Sequence, residues 1–230
     1  MDYQLVDYLS GFITDERNEL FERILDQRTT YLTVVLENIY QPQNASAAMR
    51  SVDCFGLQDA HVIENSNSFE VDREVAMGAT KWLNVKSYNK KEDNSLDAIR
   101  SLRQKGYRIV ATTPHESDTN LEDFDLRKGK AAFVFGTELT GISEVVKNEA
   151  DEFLKIPMYG FTESFNISVS AAVILHHLTW KLRNDPEIDW HLTPEERAAI
   201  KLEWLRRTIK SSDLIEEEYY EHLGGESFGK

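Results

Sequence analysis

The sequence predicts an α/β fold with a mostly parallel sheet and helices on both faces. Short continuous apolar runs, lacking the in-and-out alternation of a half-exposed sheet, mark strands buried on both sides. Helical patterns separate most of these runs, as crossover connections between parallel strands require. The third observation is size and composition. The chain has 230 residues, 41% hydrophobic and 29% charged, which suits one globular domain with terminal extensions and excludes a fibre or a disordered chain.

The elements follow in order. Thr14 caps a helix over residues 15–27, with Leu20, Phe21, Ile24 and Leu25 on one side. Residues 31–36 form the first strand, and the turn residues Gln41 and Pro42 lead into a helix over about 45–55. Ala45, Ala48, Met49 and Val52 fall at core spacing there, while Ser46, Arg50 and Asp53 share the opposite face. Further strands are expected at 60–64, 84–88, 107–112, 131–135 and 153–156. Asn94 or Ser95 caps a helix over 96–105 closed by Gly106, and Asn166 starts the longest apolar helix, to about Arg183. Asn184, Asp185 and Pro186 break that pattern and open a linker. Thr193 then caps a helix begun by Pro194 and running to about Ile209, followed by one over about 211–222. The expected organisation is an N-terminal helical extension over 1–30, a central domain over 31–183 and a C-terminal helical extension over 184–230.

Charge narrows the partners. With 26 Lys and Arg against 40 Asp and Glu the net is −14, which argues against a general nucleic-acid or anionic-membrane binder. The excess is uneven: residues 1–30 carry 3 basic and 7 acidic groups, 31–183 carry 17 and 21, and 184–230 carry 6 and 12. A basic patch therefore remains open in the centre. The single cysteine, Cys54, fits a reducing compartment. The most apolar stretch, 167–178, is too short to span a bilayer, and the acidic start lacks a signal peptide's regions, so a cytoplasmic protein without membrane contact is expected.

Three segments carry candidate chemistry. The run from Gly136 to Ser143 follows an apolar strand but puts Ile142 where a phosphate-binding loop needs lysine, with Glu138 inside the anion cradle. Residues 39–55 contain no glycine, so a dinucleotide fingerprint is also missing. Nucleoside triphosphates and NAD are disfavoured, and the glycines instead permit a tight turn whose backbone approaches a ligand closely. In the helix after Pro42, Arg50 points away from the core, where an ion pair with Asp53 is its ordinary alternative, and Asn44 is a candidate N-cap. The third segment runs from Ile156, Pro157, Met158, Tyr159 and Gly160 through Ser164, Phe165 and Asn166 into the small-residue start Ser168, Ser170, Ala171 and Ala172. Its Ser and Asn are ordinarily caps. The six histidines show no metal-ligand spacing with Cys54, and no metal is expected.

Taken together, the order and content of these segments resemble the SpoU/TrmH family of the SPOUT superfamily, the knotted S-adenosylmethionine-dependent RNA 2'-O-ribose methyltransferases. Asn44, Arg50 and Gly56 match the first family motif. The second is matched by residues 133–136 with Glu138, Gly141 and Ser143, and the third by Ile156, Pro157, Met158, Gly160, Ser164, Phe165 and Asn166. Phe165 stands where the family usually has Leu, and Tyr159 and Phe161 make this loop more aromatic. The resemblance covers about residues 15–183. Arg28, Leu32, Leu36, Glu37 and Asn38, with the tail from Pro194 through Trp204, Leu205 and Arg206, are similar to the TrmH branch, which modifies the D-loop guanosine at tRNA position 18.

What the resemblance implies is specific. The catalytic group is Asn44, Arg50, Glu138, Ser164 and Asn166, with Arg50 at the acceptor ribose and phosphate, Asn44 fixing its orientation, and Glu138 orienting Arg50 or Asn166. S-adenosylmethionine is the methyl donor, held at Thr112, Gly136, Ile156 and Phe165. The domain carries a trefoil knot, and two subunits pair to complete the site, using the apolar face of the helix from Ala45 and the long helix from Asn166. The partner is tRNA and not DNA. Candidate RNA contacts are Arg17, Arg23, Arg28, Lys181, Arg183, Arg206, Arg207 and Lys210, with solvated-face charges as the alternative. Two rival functions are a ribosomal-RNA 2'-O-methyltransferase of the same superfamily and a non-catalytic RNA-binding protein on the same fold.

Overall fold

The computed structural model describes residues 2–70, 72–114, 118–137 and 140–225. In chain order the elements are α1 (Tyr3–Ser10), α2 (Asp15–Leu25), β1 (Leu32–Glu37), α3 (Pro42–Cys54), β2 (Asp59–Ile63), α4 (Arg73–Ala76), β3 (Asn84–Tyr88) and α5 (Ser95–Gln104). They continue with β4 (Arg108–Thr112), β5 (Thr119–Asn120), β6 (Ala131–Phe135), α6 (Glu144–Glu149), β7 (Glu152–Lys155), α7 (Ile167–Asn184), α8 (Pro194–Thr208) and α9 (Ser212–Gly225). The chain forms two compact units, Thr29–Trp190 and the two ends together, Met1–Arg28 with His191–Lys230. Among the described residues no helix is long and apolar enough to cross a membrane.

The larger unit is built on a seven-stranded sheet in the order β3-β2-β1-β6-β4-β7-β5, with every recorded pairing parallel. Both faces are covered, which is why its strands lack alternation. Leu32, Val34 and Leu36 of β1 face one core layer with Ala48, Met49 and Val52 of α3 and Ala171, Leu175 and Leu178 of α7. Val35 of the same strand joins the opposite layer with Ala98, Ile99 and Leu102 of α5 and Val146 of α6. Burying each such side chain contributes roughly 1.5–3 kcal/mol before chain entropy is set against it. The sheet's order reverses direction around β1 and β6, and in open α/β sheets ligands bind outside the carboxyl ends of strands at such a point.

Three local details differ from expectation. Gln41 is the N-cap residue of α3 and Pro42 its first residue, so Asn44 lies inside the first turn and is not the cap. Proline's fixed φ favours the first helical position, which moves the start upstream. Ser46 is fully buried, not on the solvent face with Arg50, and its hydroxyl accepts from the Asp72 amide at 2.8 Å. The stretch after α7 is not free chain: Ile188 is buried, Trp190 packs on the same core, and the Thr29 hydroxyl donates to the Trp190 carbonyl at 2.6 Å.

The smaller unit brings the two ends together. Thr193 and Glu196 form a capping box at the start of α8, and the Phe21 and Trp204 rings meet edge to face at 5.3 Å between centroids. Arg197 pairs with Glu22 and Asp26, and Lys201 reaches Glu22 at 2.6 Å. Helix α1, absent from the pattern-based expectation, is capped by the Asp2 carboxylate, which accepts from the Leu5 amide at 3.0 Å.

Candidate active site

A cavity of about 460 Å³ opens at the carboxyl ends of β4, β6 and β7, within the size range of small-ligand sites. Thr112, Gly136, Ile156 and Phe165, the four residues assigned to the methyl donor, all line it, and so does Ser164 of the catalytic group. Phe135, Ile142, Leu154 and Ile174 supply apolar wall, while Thr113, Thr137, Lys147 and Glu163 add polar groups that motif reasoning did not single out.

The glycine-rich loop after β6 owes its shape to two residues. Thr137 and Gly141 exchange backbone hydrogen bonds, each 3.0 Å, folding the loop back on itself. A Cβ on Gly136 would lie 2.2 Å from the Gly141 carbonyl, so no other residue fits there. Gly141 itself takes a φ of 68°, the left-handed region that glycine enters without strain. Glu138, between them in sequence, lies outside the described residues.

A buried carboxylate anchors this loop. Glu37, at the end of β1, is 2% exposed and accepts from the Ser95 hydroxyl at 2.7 Å, the Ser143 amide at 2.8 Å and the Ser143 hydroxyl at 2.7 Å. Ser143 in turn caps α6 through the Val146 amide. Charge-assisted bonds of this kind are short and strong, and here they lock the end of the glycine-rich loop to β1 and α5. Sequence reasoning assigned Glu37 no role in the site; the available signal was an acid ending an otherwise apolar strand.

The residues expected to be catalytic are partly brought together. The Asn166 Nδ2 donates to the Asn44 Oδ1 at 3.0 Å, and the Asn44 Nδ2 donates to the Gln41 Oε1 at 2.9 Å. Asn166 also caps α7, its Oδ1 accepting from the Ser168 amide at 2.9 Å and the Ser168 hydroxyl at 2.6 Å. Cap and cross-loop contact thus use opposite ends of one amide. Arg50 stands exposed on α3 and makes no ion pair with Asp53 or any other group among the described residues. It belongs neither to the cavity lining nor to the Asn44–Asn166 contact.

Several assigned RNA contacts are engaged elsewhere. Arg28 is only 4% exposed and lies over the Trp204 ring at 5.6 Å, so it cannot face RNA. Arg183 donates to the Phe55 carbonyl at 3.0 Å and lies over Trp190, and burial lowers its affinity for the proton. Lys181 donates to the carbonyls of Glu122 and Phe124 at 3.1 and 2.7 Å. Arg206 is clamped by Glu216 and Glu203, and Arg207 stands 3.9 Å from Glu203. Arg17, Arg23 and Lys210 are exposed and carry no ion pair among the described residues. The apolar face of α3 is likewise spent on the intrachain core, since Ala45, Ala48, Met49 and Val52 are all buried, leaving it no dimer surface. Helix α7 differs: Val169, Val173 and Trp180 are exposed along one side.

The comparisons decide the family. Residues 31–176 match the model of the SpoU rRNA Methylase family. The chain belongs to the SpoU methylase family. Within reach of this SpoU methylase is the tRNA (guanosine(18)-2'-O)-methyltransferase of Borreliella burgdorferi, 43% identical over 92% of this chain and 94% of that protein. The enzyme of the same name from Thermus thermophilus is 33% identical over 84% and 98%. Among solved structures, the Aquifex aeolicus TrmH/SpoU tRNA modifying enzyme superposes with a TM-score of 0.73 at 25% identity, covering 85% of this chain and 98% of that one.

Proposed function

We propose that this SpoU methylase is a tRNA (guanosine(18)-2'-O)-methyltransferase that uses S-adenosylmethionine. The observation that carries the reading is the cavity: Thr112, Gly136, Ile156 and Phe165 come from the carboxyl ends of three parallel strands and the loops that follow them, and line one space of nucleoside size. The substrate assignment draws on the 43% identical relative of that name. The donor supplies an electrophilic methyl on a sulfonium. Bare backbone at Gly136, apolar side chains at Phe135, Ile142 and Leu154, and the threonines fit its mixed apolar and polar surface.

The chain's own residues position the acceptor. Guanidinium groups stay protonated in proteins, so Arg50 serves as a forked donor to the ribose and its phosphate, with the 2'-hydroxyl proton leaving to phosphate or water. Asn44 and Asn166, hydrogen-bonded to one another, fix the two loops between which the ribose is held. Glu138 completes the group by orienting Arg50 or Asn166. Arg50, like Asn44 and Asn166, stands outside the cavity lining of its own chain, which supports its acting in the site of a second copy, paired through the exposed side of α7 carrying Val169, Val173 and Trp180. The domain is threaded as a trefoil knot, and the unit formed by the two chain ends is a tRNA-holding appendage with Arg17, Arg23 and Lys210 as its uncommitted cations. The setting is the cytoplasm.

Purified protein incubated with labelled S-adenosylmethionine and an unmodified tRNA transcript is expected to transfer the label to the ribose of guanosine 18. A transcript with 2'-deoxyguanosine at that position should accept none. Equal labelling of the two transcripts would refute the assignment.

A further inference from the structure

Three exposed aromatic side chains stand on two loops of the Thr29–Trp190 unit. Tyr40 is 77% exposed on the loop before α3, while Tyr159 and Phe161 are 96% and 107% exposed on the loop between β7 and α7. The helix starts that follow these loops are tied together, since Asn166, the cap of α7, bonds Asn44 in the first turn of α3, and Asn44 in turn bonds Gln41. The second loop presents different side chains to different sides. Met158, Ser164 and Phe165 line the cavity, whereas Tyr159 and Phe161 are not part of its lining. Rings of this size gain substantially from burial and stacking, so their near-complete exposure beside a nucleoside-sized cavity calls for a partner with a flat apolar face.

A separate observation points to what that partner offers. The chain carries a net charge of −14, and of eight cations that could have met RNA, Arg28 is buried, Lys181 and Arg183 bond main-chain carbonyls and Arg206 is clamped by two glutamates. Phosphate contacts alone are in short supply. Base stacking needs no charge, works with every base, and contributes on the order of 1–3 kcal/mol per base.

We propose that Tyr159 and Phe161, with Tyr40 on the neighbouring loop, form a stacking platform for unpaired bases adjoining the methylated ribose. The proposal rests on the RNA methyltransferase reading and adds how the substrate is recognised. A duplex hides its base faces, whereas a loop can splay them onto aromatic rings, so the platform selects single-stranded loop RNA.

The test uses the full chain and an unmodified tRNA transcript. Tyr159→Ala/Phe161→Ala is expected to raise both the Kd and the KM for tRNA about tenfold or more, the change that losing one to two stacks brings. The Kd for S-adenosylmethionine, the sedimentation of the protein and the slope of log Kd against log salt should stay at wild-type values, because no phosphate contact is lost. Tyr159→Phe/Phe161→Tyr, which keeps both rings, should retain the tRNA affinity. A change in tRNA affinity of about twofold or less would overturn the platform, given the size of a stacking contact. So would dissociation of the protein into smaller species, which would assign the rings to a second copy of this chain. A wild-type protein that neither binds nor methylates tRNA would refute the underlying reading, and the platform with it.

Discussion

Glu37 concentrates three donors on one buried carboxylate and so governs a loop it does not belong to. Glu37→Ala leaves the Ser143 amide and two hydroxyls without an acceptor, at about 1–3 kcal/mol for each group that stays unsatisfied. Chemical denaturation should show a loss of about 2–5 kcal/mol, and calorimetry should show weaker S-adenosylmethionine binding. Glu37→Gln, which keeps a carbonyl acceptor, should fall between Ala and wild type. His61 is a second buried group with a defined consequence. Burial, helped by Lys105 and Lys86, pushes its proton affinity down to about 3, and its Nδ1 lies 3.2 Å from the Tyr88 hydroxyl. The unfolded chain binds a proton there below about pH 6.5 while the folded chain does not, so stability falls as pH drops from about 6.5 toward 3. At pH 5 this amounts to about 2 kcal/mol, and His61→Phe should flatten that part of the stability profile in urea titrations. For the acceptor-binding role proposed for Arg50, Arg50→Lys removes the planar fork while keeping the charge. Turnover should fall on the order of tenfold or more if two oriented bonds are lost, and near-normal turnover would show that the fork is dispensable.

Helix α7 has two unlike sides. Ile174, Leu175 and Leu178 pack in the core, while Val169, Val173 and Trp180 remain exposed. Leu175→Ala should cost about 2–5 kcal/mol in stability. Val173→Glu, on the exposed side, should leave the monomer folded but separate two copies in sedimentation and abolish methyl transfer with them. These elements differ in how readily the sequence reveals them. The central strands were legible because residues such as Leu32 to Leu36 are buried on both faces, which leaves a continuous apolar run, while β3 at the sheet edge exposes Lys86 and Ser87. The two-residue strand β5 and the short helices α1 and α6 offer too little periodicity to register. The cavity was legible because much of its lining comes from two of the three motif segments, the glycine-rich run from Gly136 and the segment from Ile156, with the end of β4 adding Thr112 to Pro114. Glu37 was not, since one acid at the end of a strand has no pattern. Nor was the fate of the cations: Arg197 meets Glu22 across 175 residues of sequence, and no local spacing encodes such a pair.

At the scale of the whole molecule, the net charge of −14 acquires a narrower meaning. Acidic residues of the terminal unit hold part of its basic set, Glu22 engaging Arg197 and Lys201 and Glu216 engaging Arg206, which leaves Arg17, Arg23 and Lys210. Few cations are left for phosphate, so affinity for tRNA should vary only gently with salt. A log–log slope as steep as that of a protein neutralising about 6–10 phosphates would contradict this. Methylation of guanosine 18 of tRNA by the cavity and its flanking loops can be read by nucleoside mapping of RNA from cells lacking the protein. 2'-O-methylguanosine should disappear from tRNA position 18 and return with the wild-type chain but not with Arg50→Ala. Persistence of that nucleoside, with a 2'-O-methyl group missing from ribosomal RNA instead, would contradict it.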